Sequence, residues 1–180
     1  MVESKKMVSN IAELISEARK AGMPVVYSGH VRRADSTDVI PTITDLMLKG
    51  ILPPWLSPPP TVPMIEGTTG AQIVSELQPA PGDHVVWKRR SNAFYNTDLE
   101  PMLRAWGIDT VIITGVVTNR CVANTARGAR ERDFHVIILS DCVACGTPED
   151  DEYFLKRDFP LEGRVRTSAE IIQSVTRTTR

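Results

Sequence analysis

The chain has 180 residues, 42% of them hydrophobic and 24% charged, with a formal net charge of −1. That length carries one domain with a real core, and the even mixture of Lys and Arg with Asp and Glu excludes the basic stripe of a nucleic-acid footprint and gives no reason to invoke a membrane surface. No apolar run approaches the roughly 20 residues of a spanning helix, residues 1–7 lack the apolar stretch of a signal peptide, and three cysteines are too few for a disulfide framework, so a reducing cytoplasm is the default.

Val8, Ile11, Ala12, Leu14, Ile15 and Ala18 recur at helical spacing, and Gly22 with Pro24 behind it stops that helix. Residues 24–28 read as a short buried strand. From His30 to Glu66 the periodicity weakens, and the prolines of 53–63 forbid helix or inner strand. This is a surface loop: a substrate lid or a subunit contact, or equally a tolerated insertion. A short helix over 71–77 closes at Pro79, and 83–88 is the next strand. Thr97 and Glu100 form a capping box for a helix that stops at Gly107. The nearly continuous apolar run 110–115 is a strand covered on both faces. A helix over 120–132 comes next, rich in small residues. Then come a buried strand over 134–139 ending at Ser140 and Asp141, a short strand 164–166, and a second capping box, Thr167 with Glu170, that opens a terminal helix.

Alternating strands and helices imply an α/β fold of three layers, with parallel strands joined by right-handed crossovers. In such sheets reactive groups gather at the carboxyl ends of strands, and Lys88, residues 115–121 and Asp141 all sit there. Cys121 has the most promising position. A thiol in the first turn of a helix feels the positive end of the helix dipole and unpaired backbone N–H groups, both of which favour a thiolate. The same N–H groups would stabilise the oxyanion formed when that thiolate attacks a carbonyl. Position alone does not decide the matter, because free cysteines are usually small buried hydrophobes.

The surrounding residues do more. Residues 115–126 read Gly-Val-Val-Thr-Asn-Arg-Cys-Val-Ala-Asn-Thr-Ala. This resembles the nucleophile segment of the isochorismatase-like cysteine hydrolases: Gly, two variable residues, Thr, two variable residues, Cys-Val, then Thr-Ala after two more. Upstream, Val86, Trp87 and Lys88, then Ser91, Phe94, Asn96, Thr97 and Leu99, are similar to the family's lysine strand and the loop and helix after it. Residues 67–71, Glu76, Leu77 and the strand over 136–141 continue the likeness in order.

The resemblance implies a three-layer Rossmann-like fold around a parallel sheet of six strands, and a triad of Asp, Lys and Cys. The thiolate attacks an amide or similar carbonyl, ammonia departs, and water releases the acyl-enzyme without a cofactor; some branches of the family instead cleave a vinyl ether without a cysteine. Carried over by position, Cys121 is the nucleophile and Lys88 the triad lysine. The backbone N–H groups of Val117 and Cys121 form the oxyanion hole, and the Val116–Val117 peptide is cis. A homodimer or homotetramer is implied as well.

One part has no counterpart. The family's Asp ends the first strand and acts as general base, but this chain begins in the helix that normally comes after that strand. Asp35, Asp38 and Asp45 lie in the irregular segment and read as solvated loop residues. The domain is therefore read as a single one over residues 1–180, incomplete at its N-terminus, with the central first strand of the sheet missing. Backbone groups of the neighbouring strands would lose their partners, at about 1–3 kcal/mol for each buried group. Either an upstream piece belongs to the gene product, or this is a shortened relative whose sheet has closed up. Efficient turnover needs a proton acceptor, so the chain is expected to have little or no amidase activity.

Arg89 and Arg90 could grip a substrate carboxylate bidentately or be a plain surface pair, and Phe94, Tyr95 and Trp55 could wall the pocket or belong to the core. Cys142 and Cys145 have half-zinc spacing without the other ligands zinc needs. His30, His84 and His135 are too scattered for a metal site. Residues 67–70 lack the ending of a phosphate loop, and no glycine fingerprint supports dinucleotide binding. Two functions stay open: a C–N hydrolase of a small amide or ureido compound, or an inactive relative kept for binding or subunit interaction.

Overall fold

A computed structural model describes residues 2–35, 37–38 and 64–178; the proline-rich run 53–63, Trp55 and Asp45 lie outside the described residues. Helix α1 (Val2–Lys20) carries Met7, Ile11, Leu14 and Ile15 on one face. It ends where Gly22 takes the left-handed conformation (φ 71°) and the N–H groups of Gly22 and Met23 reach back to the carbonyls of Arg19 (3.0 Å) and Ala18 (2.9 Å). Strand β1 (Val26–His30) comes next and pairs in parallel with β2 (His84–Lys88), from Val26 opposite His84 to His30 opposite Lys88. Between them, the helix expected over 71–77 is replaced by two single 3-10 turns, Thr69–Ala71 and Ser75–Leu77. Seven residues are too few to offset the cost of helix nucleation without packing support.

Helix α2 (Leu99–Ala105), β3 (Thr110–Val116), a π-helical turn (Thr118–Val122) and α3 (Ala123–Arg130) form the next unit. Then come β4 (His135–Ala144), α4 (Pro148–Tyr153), a second π-helical turn (Phe154–Asp158), α5 (Phe159–Glu162), β5 (Arg164–Arg166) and α6 (Ser168–Thr178). The two capping boxes fare differently. Thr167 N–H donates to Glu170 Oε2 (2.7 Å) and Glu170 N–H to Thr167 Oγ1 (3.3 Å), a reciprocal box opening α6. Thr97 instead turns its hydroxyl to the Ala93 carbonyl (2.5 Å), and Glu100 pairs with Arg132 (2.7 Å), a stronger partner than a backbone N–H.

The strands are parallel throughout, but they fall into two sheets, β1–β2 and β3–β4–β5, and no ladder joins the two among the described residues. Alternate residues of β3 and β4 face opposite layers, as the pleat dictates. Ile112, Ile137 and Leu139 meet Ile11 of α1 and Ile171 of α6. Ile113, Val136 and Ile138 meet Leu99 and Leu103 of α2, Ala123, Ala126 and Ala129 of α3, and Phe159 of α5. The small residues of α3 let its backbone lie close to the strands. Strand β4 runs past Asp141 to Ala144, with a register shift against β3 between Ile113 and Gly115. Asp141 ties the two outer helices together, accepting from Asn10 Nδ2 (3.2 Å), Ser168 N–H (2.8 Å) and Ser168 Oγ (2.6 Å).

Gly163 leads into β5 with its Cα against the carbonyl of Val136, so an added Cβ would collide with backbone that cannot give way. Gly163→Ala is expected to destabilise the fold by about 1–3 kcal/mol, read as a lower urea midpoint at unchanged m-value.

Candidate active site

The carboxyl ends of β2 and β3 converge on one polar contact. Lys88, the last residue of β2, is 3% exposed, and its ammonium donates to Cys121 Sγ at 3.2 Å and to the Arg90 carbonyl at 3.1 Å. Among the described residues neither Lys88 nor Cys121 bonds a carboxylate. A buried cation is costly unless paired, and the sulfur is the partner present that can itself carry negative charge.

Cys121 is half-buried and sits in the π-helical turn rather than in a regular first turn of α3. Such turns are often found at functional sites. The turn is pinned from below: Thr118 is fully buried and donates its hydroxyl to Asp151 Oδ1 at 2.5 Å, while Asp151 Oδ2 accepts the Cys145 N–H at 2.9 Å. Asp151 thereby fixes the nucleophile turn to the end of β4. It had no mark in the sequence beyond a short acidic helix announced by Thr147 and Pro148, because its partner Thr118 is 33 residues away. Immediately before the turn, the Val116–Val117 peptide is cis, and both residues are exposed.

Arg89 is held by two carboxylates, Asp38 (3.1 Å) and Glu66 (2.9 Å). Asp38 is thus an ion-pair partner, not simply a solvated loop residue. Among the described residues Arg90 donates only to main-chain carbonyls, those of Asp38 (3.2 Å) and Arg89 (2.8 Å). Phe94 does not wall a pocket. It is 5% exposed, packs against Phe134 with 5.6 Å between centroids, and lies under the Arg132 guanidinium, so its apolar ring belongs to the core. Tyr95 points outward.

His30 stands opposite Lys88 on the neighbouring strand. Burial, then the charges of Lys88, Arg32 and Arg90, push its pKa down to about 4 against the opposing pull of Asp38, so the ring is neutral at neutral pH. His84 stacks on Trp106 (4.7 Å) and His135 is exposed at the other end of its strand. Cys142 is fully buried, and burial followed by the charge of Asp141 pushes its thiol up to about 12. Among the described residues no group of three His, Cys, Asp or Glu side chains is placed to hold a metal ion.

A family model for the isochorismatase domain matches residues 1–170. The ureidoacrylate amidohydrolase RutB of Pantoea ananatis is 32% identical over 152 residues, which is 79% of this chain and 58% of that protein. An isochorismatase-like hydrolase from Alkaliphilus metalliredigens superposes with a TM-score of 0.79 at 29% identity, over 96% of this chain and 86% of the other. N-carbamoylsarcosine amidase from Thermoplasma acidophilum gives 0.71 at 29%, over 93% and 86%. The chain spans 32% to 63% of the length of curated relatives it matches.

His30 makes stability depend on pH between about 4 and 6.5. The unfolded imidazole takes up its proton near pH 6.5 and the folded one only near 4. Between those values the unfolded state binds more protons, so stability rises with pH across the window and falls on acidification. Urea unfolding from pH 6.5 to 4 is expected to show that fall, and His30→Gln to make it shallower.

Proposed function

This chain belongs to the isochorismatase family of hydrolases, and from that premise we propose that it acts on the C–N bond of a small amide or ureido compound through the thiolate of Cys121. The observation that carries the reading is the 3.2 Å contact between Lys88 Nζ and Cys121 Sγ. The ammonium holds the thiolate by a charge-assisted hydrogen bond and lies beside the position of the substrate carbonyl. Attack on the carbonyl carbon forms the C–S bond and places negative charge on oxygen, where the N–H groups of Val117 and Cys121 receive it. The tetrahedral adduct collapses, the C–N bond breaks, and the amine leaves with a proton given up by the Lys88 ammonium. Water then attacks the thioester, returns a proton to the Lys88 amine, and the C–S bond breaks to release the acid and regenerate the thiolate. Once the thiolate exists, cysteine, lysine and water suffice for these steps.

Two relatives that act on ureido compounds by name, the ureidoacrylate amidohydrolase and the N-carbamoylsarcosine amidase, support this substrate class. We place the chain in the cytoplasm as a homodimer or homotetramer. Its turnover is impaired, because no described carboxylate meets Cys121 or Lys88 to take the thiol proton. That same observation favours a second reading, a relative without catalysis that binds small molecules or a neighbouring subunit.

Iodoacetamide near neutral pH separates these readings. Cys121 is expected to react and to be protected by small amides, while Cys142 stays unmodified by mass spectrometry. Lys88→Met removes a charge-assisted bond worth about 1.5–3 kcal/mol and is expected to slow the reaction of Cys121 by about 10- to 100-fold. Ammonia release from a panel of amides should be slight; rates like those of full-length relatives would overturn the impairment. An inert Cys121 would overturn the enzyme and leave the binding protein.

A further inference from the structure

The turn that carries Cys121 has an uncommon shape. Over Thr118–Val122 the chain is π-helical, with the Val122 N–H reaching back five residues to the Val117 carbonyl (3.3 Å), before α3 takes up the regular α register. Such a turn holds one residue more than an α-turn and is rare. No proline or glycine within it imposes the shape, so the cause lies in what the turn touches.

It touches Asp151. Fully buried Thr118 donates its hydroxyl to Asp151 Oδ1 (2.5 Å), and Oδ2 of the same carboxylate accepts the Cys145 N–H (2.9 Å). The carboxylate does not drift with the turn, because its own helix is fixed at the start. Thr147 caps α4 by accepting the Asp150 N–H at its Oγ1 (3.2 Å), and the Asp151 N–H donates to the Thr147 carbonyl (3.3 Å). The same arm grips the far end of α3, where Arg127 pairs with Asp158 (2.5 Å) and Arg130 with Glu162 (2.8 Å). Residues 147–162 therefore hold α3 at both ends, and at the near end the hold runs through the Thr118 hydroxyl.

Resting on the assignment of Cys121 and Lys88 as the reacting pair, we infer that Asp151 is a positioning residue for that pair: through Thr118 it keeps the turn in the π register and so aims the sulfur at the ammonium. Cys121 comes three residues after Thr118. Relaxation of the turn to the α register would swing it about the helix axis by roughly 100°, one residue's share of an α-turn. A 3.2 Å contact does not survive such a rotation. Among the described residues Asp151 bonds neither the sulfur nor the ammonium, so its effect on the thiol is indirect. Once turned away from Lys88, Cys121 loses a charge-assisted bond and yields less thiolate at a given pH.

The test reads thiol reactivity, so it does not depend on the amidase turning over. Alkylation of Cys121 by iodoacetamide, resolved from Cys142 and Cys145 by peptide mass spectrometry, is followed across a pH series spanning neutrality, with circular dichroism confirming that each variant is folded. Thr118→Val keeps the shape of the side chain and removes the donor. It is expected to slow Cys121 by about 3- to 10-fold near neutral pH, the scale of one hydrogen bond, and to move the pH profile upward. Asp151→Ala should reproduce the loss, and either variant suffices should the other fail to fold. Thr118→Ser, which keeps the hydroxyl, should recover the profile. In the Lys88→Met chain Thr118→Val should add nothing, since the contact that the turn aims is already gone. A role in stability alone would instead lower the urea midpoint and leave the profile of the folded chain in place. An unchanged profile in Thr118→Val or Asp151→Ala, or equal slowing with and without Lys88, overturns the inference and spares the hydrolase reading. An inert Cys121 in the unmodified chain overturns both.

Discussion

A lysine ammonium enclosed by protein must find charge or dipoles to replace the water it has lost, and among the described residues that demand falls on one sulfur and one carbonyl. Lys88 closes β2, and Cys121 lies in the turn after β3, so their contact connects elements belonging to the two separate sheets. Removing an ion from water costs several kcal/mol even after relaxation. The contact is thus an electrostatic requirement of the fold and the centre of its proposed chemistry at once. The surroundings serve it: the Arg90 carbonyl accepts a second hydrogen bond from the ammonium, and buried Thr118 with Asp151 fixes the turn that presents the sulfur.

Apolar packing supplies the other connection between the sheets. Val86 of β2, with Val26 of β1 packed against it, shares a cluster with Ile113, Ile138 and the alanines of α3. One layer of helices therefore lies under both sets of strands. The opposite layer, α1 with α6, is anchored on β4 through Leu139, Cys142 and the carboxylate of Asp141. Burial of this kind tolerates a break in hydrogen-bonded pairing, because it needs contact and not register.

Much of this was legible in the sequence because it is local. Gly22 and Gly107 end helices, the 3.6-residue period of α1 shows its face, and apolar runs mark β3 and β4. Thr167 and Glu170 close a box because no stronger partner competes, whereas Glu100 is drawn away by Arg132, which arrives from the end of α3. The site divides in the same way. Lys88 and Cys121 lie at strand and helix ends that the chain marks clearly. The roles of Asp151, Phe94 and Arg89 depend on what tertiary folding brings to them: a threonine hydroxyl, a second phenylalanine, and two acids at Asp38 and Glu66. No local pattern specifies those encounters.

Arg89 has one more consequence. Its two ion pairs grip Asp38 and Glu66, and a parallel bridge between Arg32 and Ile65 lies just beside them. One side chain thus holds Asp38 and Glu66 beside each other, 28 residues apart in the sequence. Bringing two distant points of a chain together costs closure entropy that grows only slowly with their separation, by about 0.6 kcal/mol for each doubling. Because Arg89 comes directly after Lys88, that closure is fastened to the strand end that carries the reacting ammonium, so loss of one guanidinium would release Asp38 and Glu66 together.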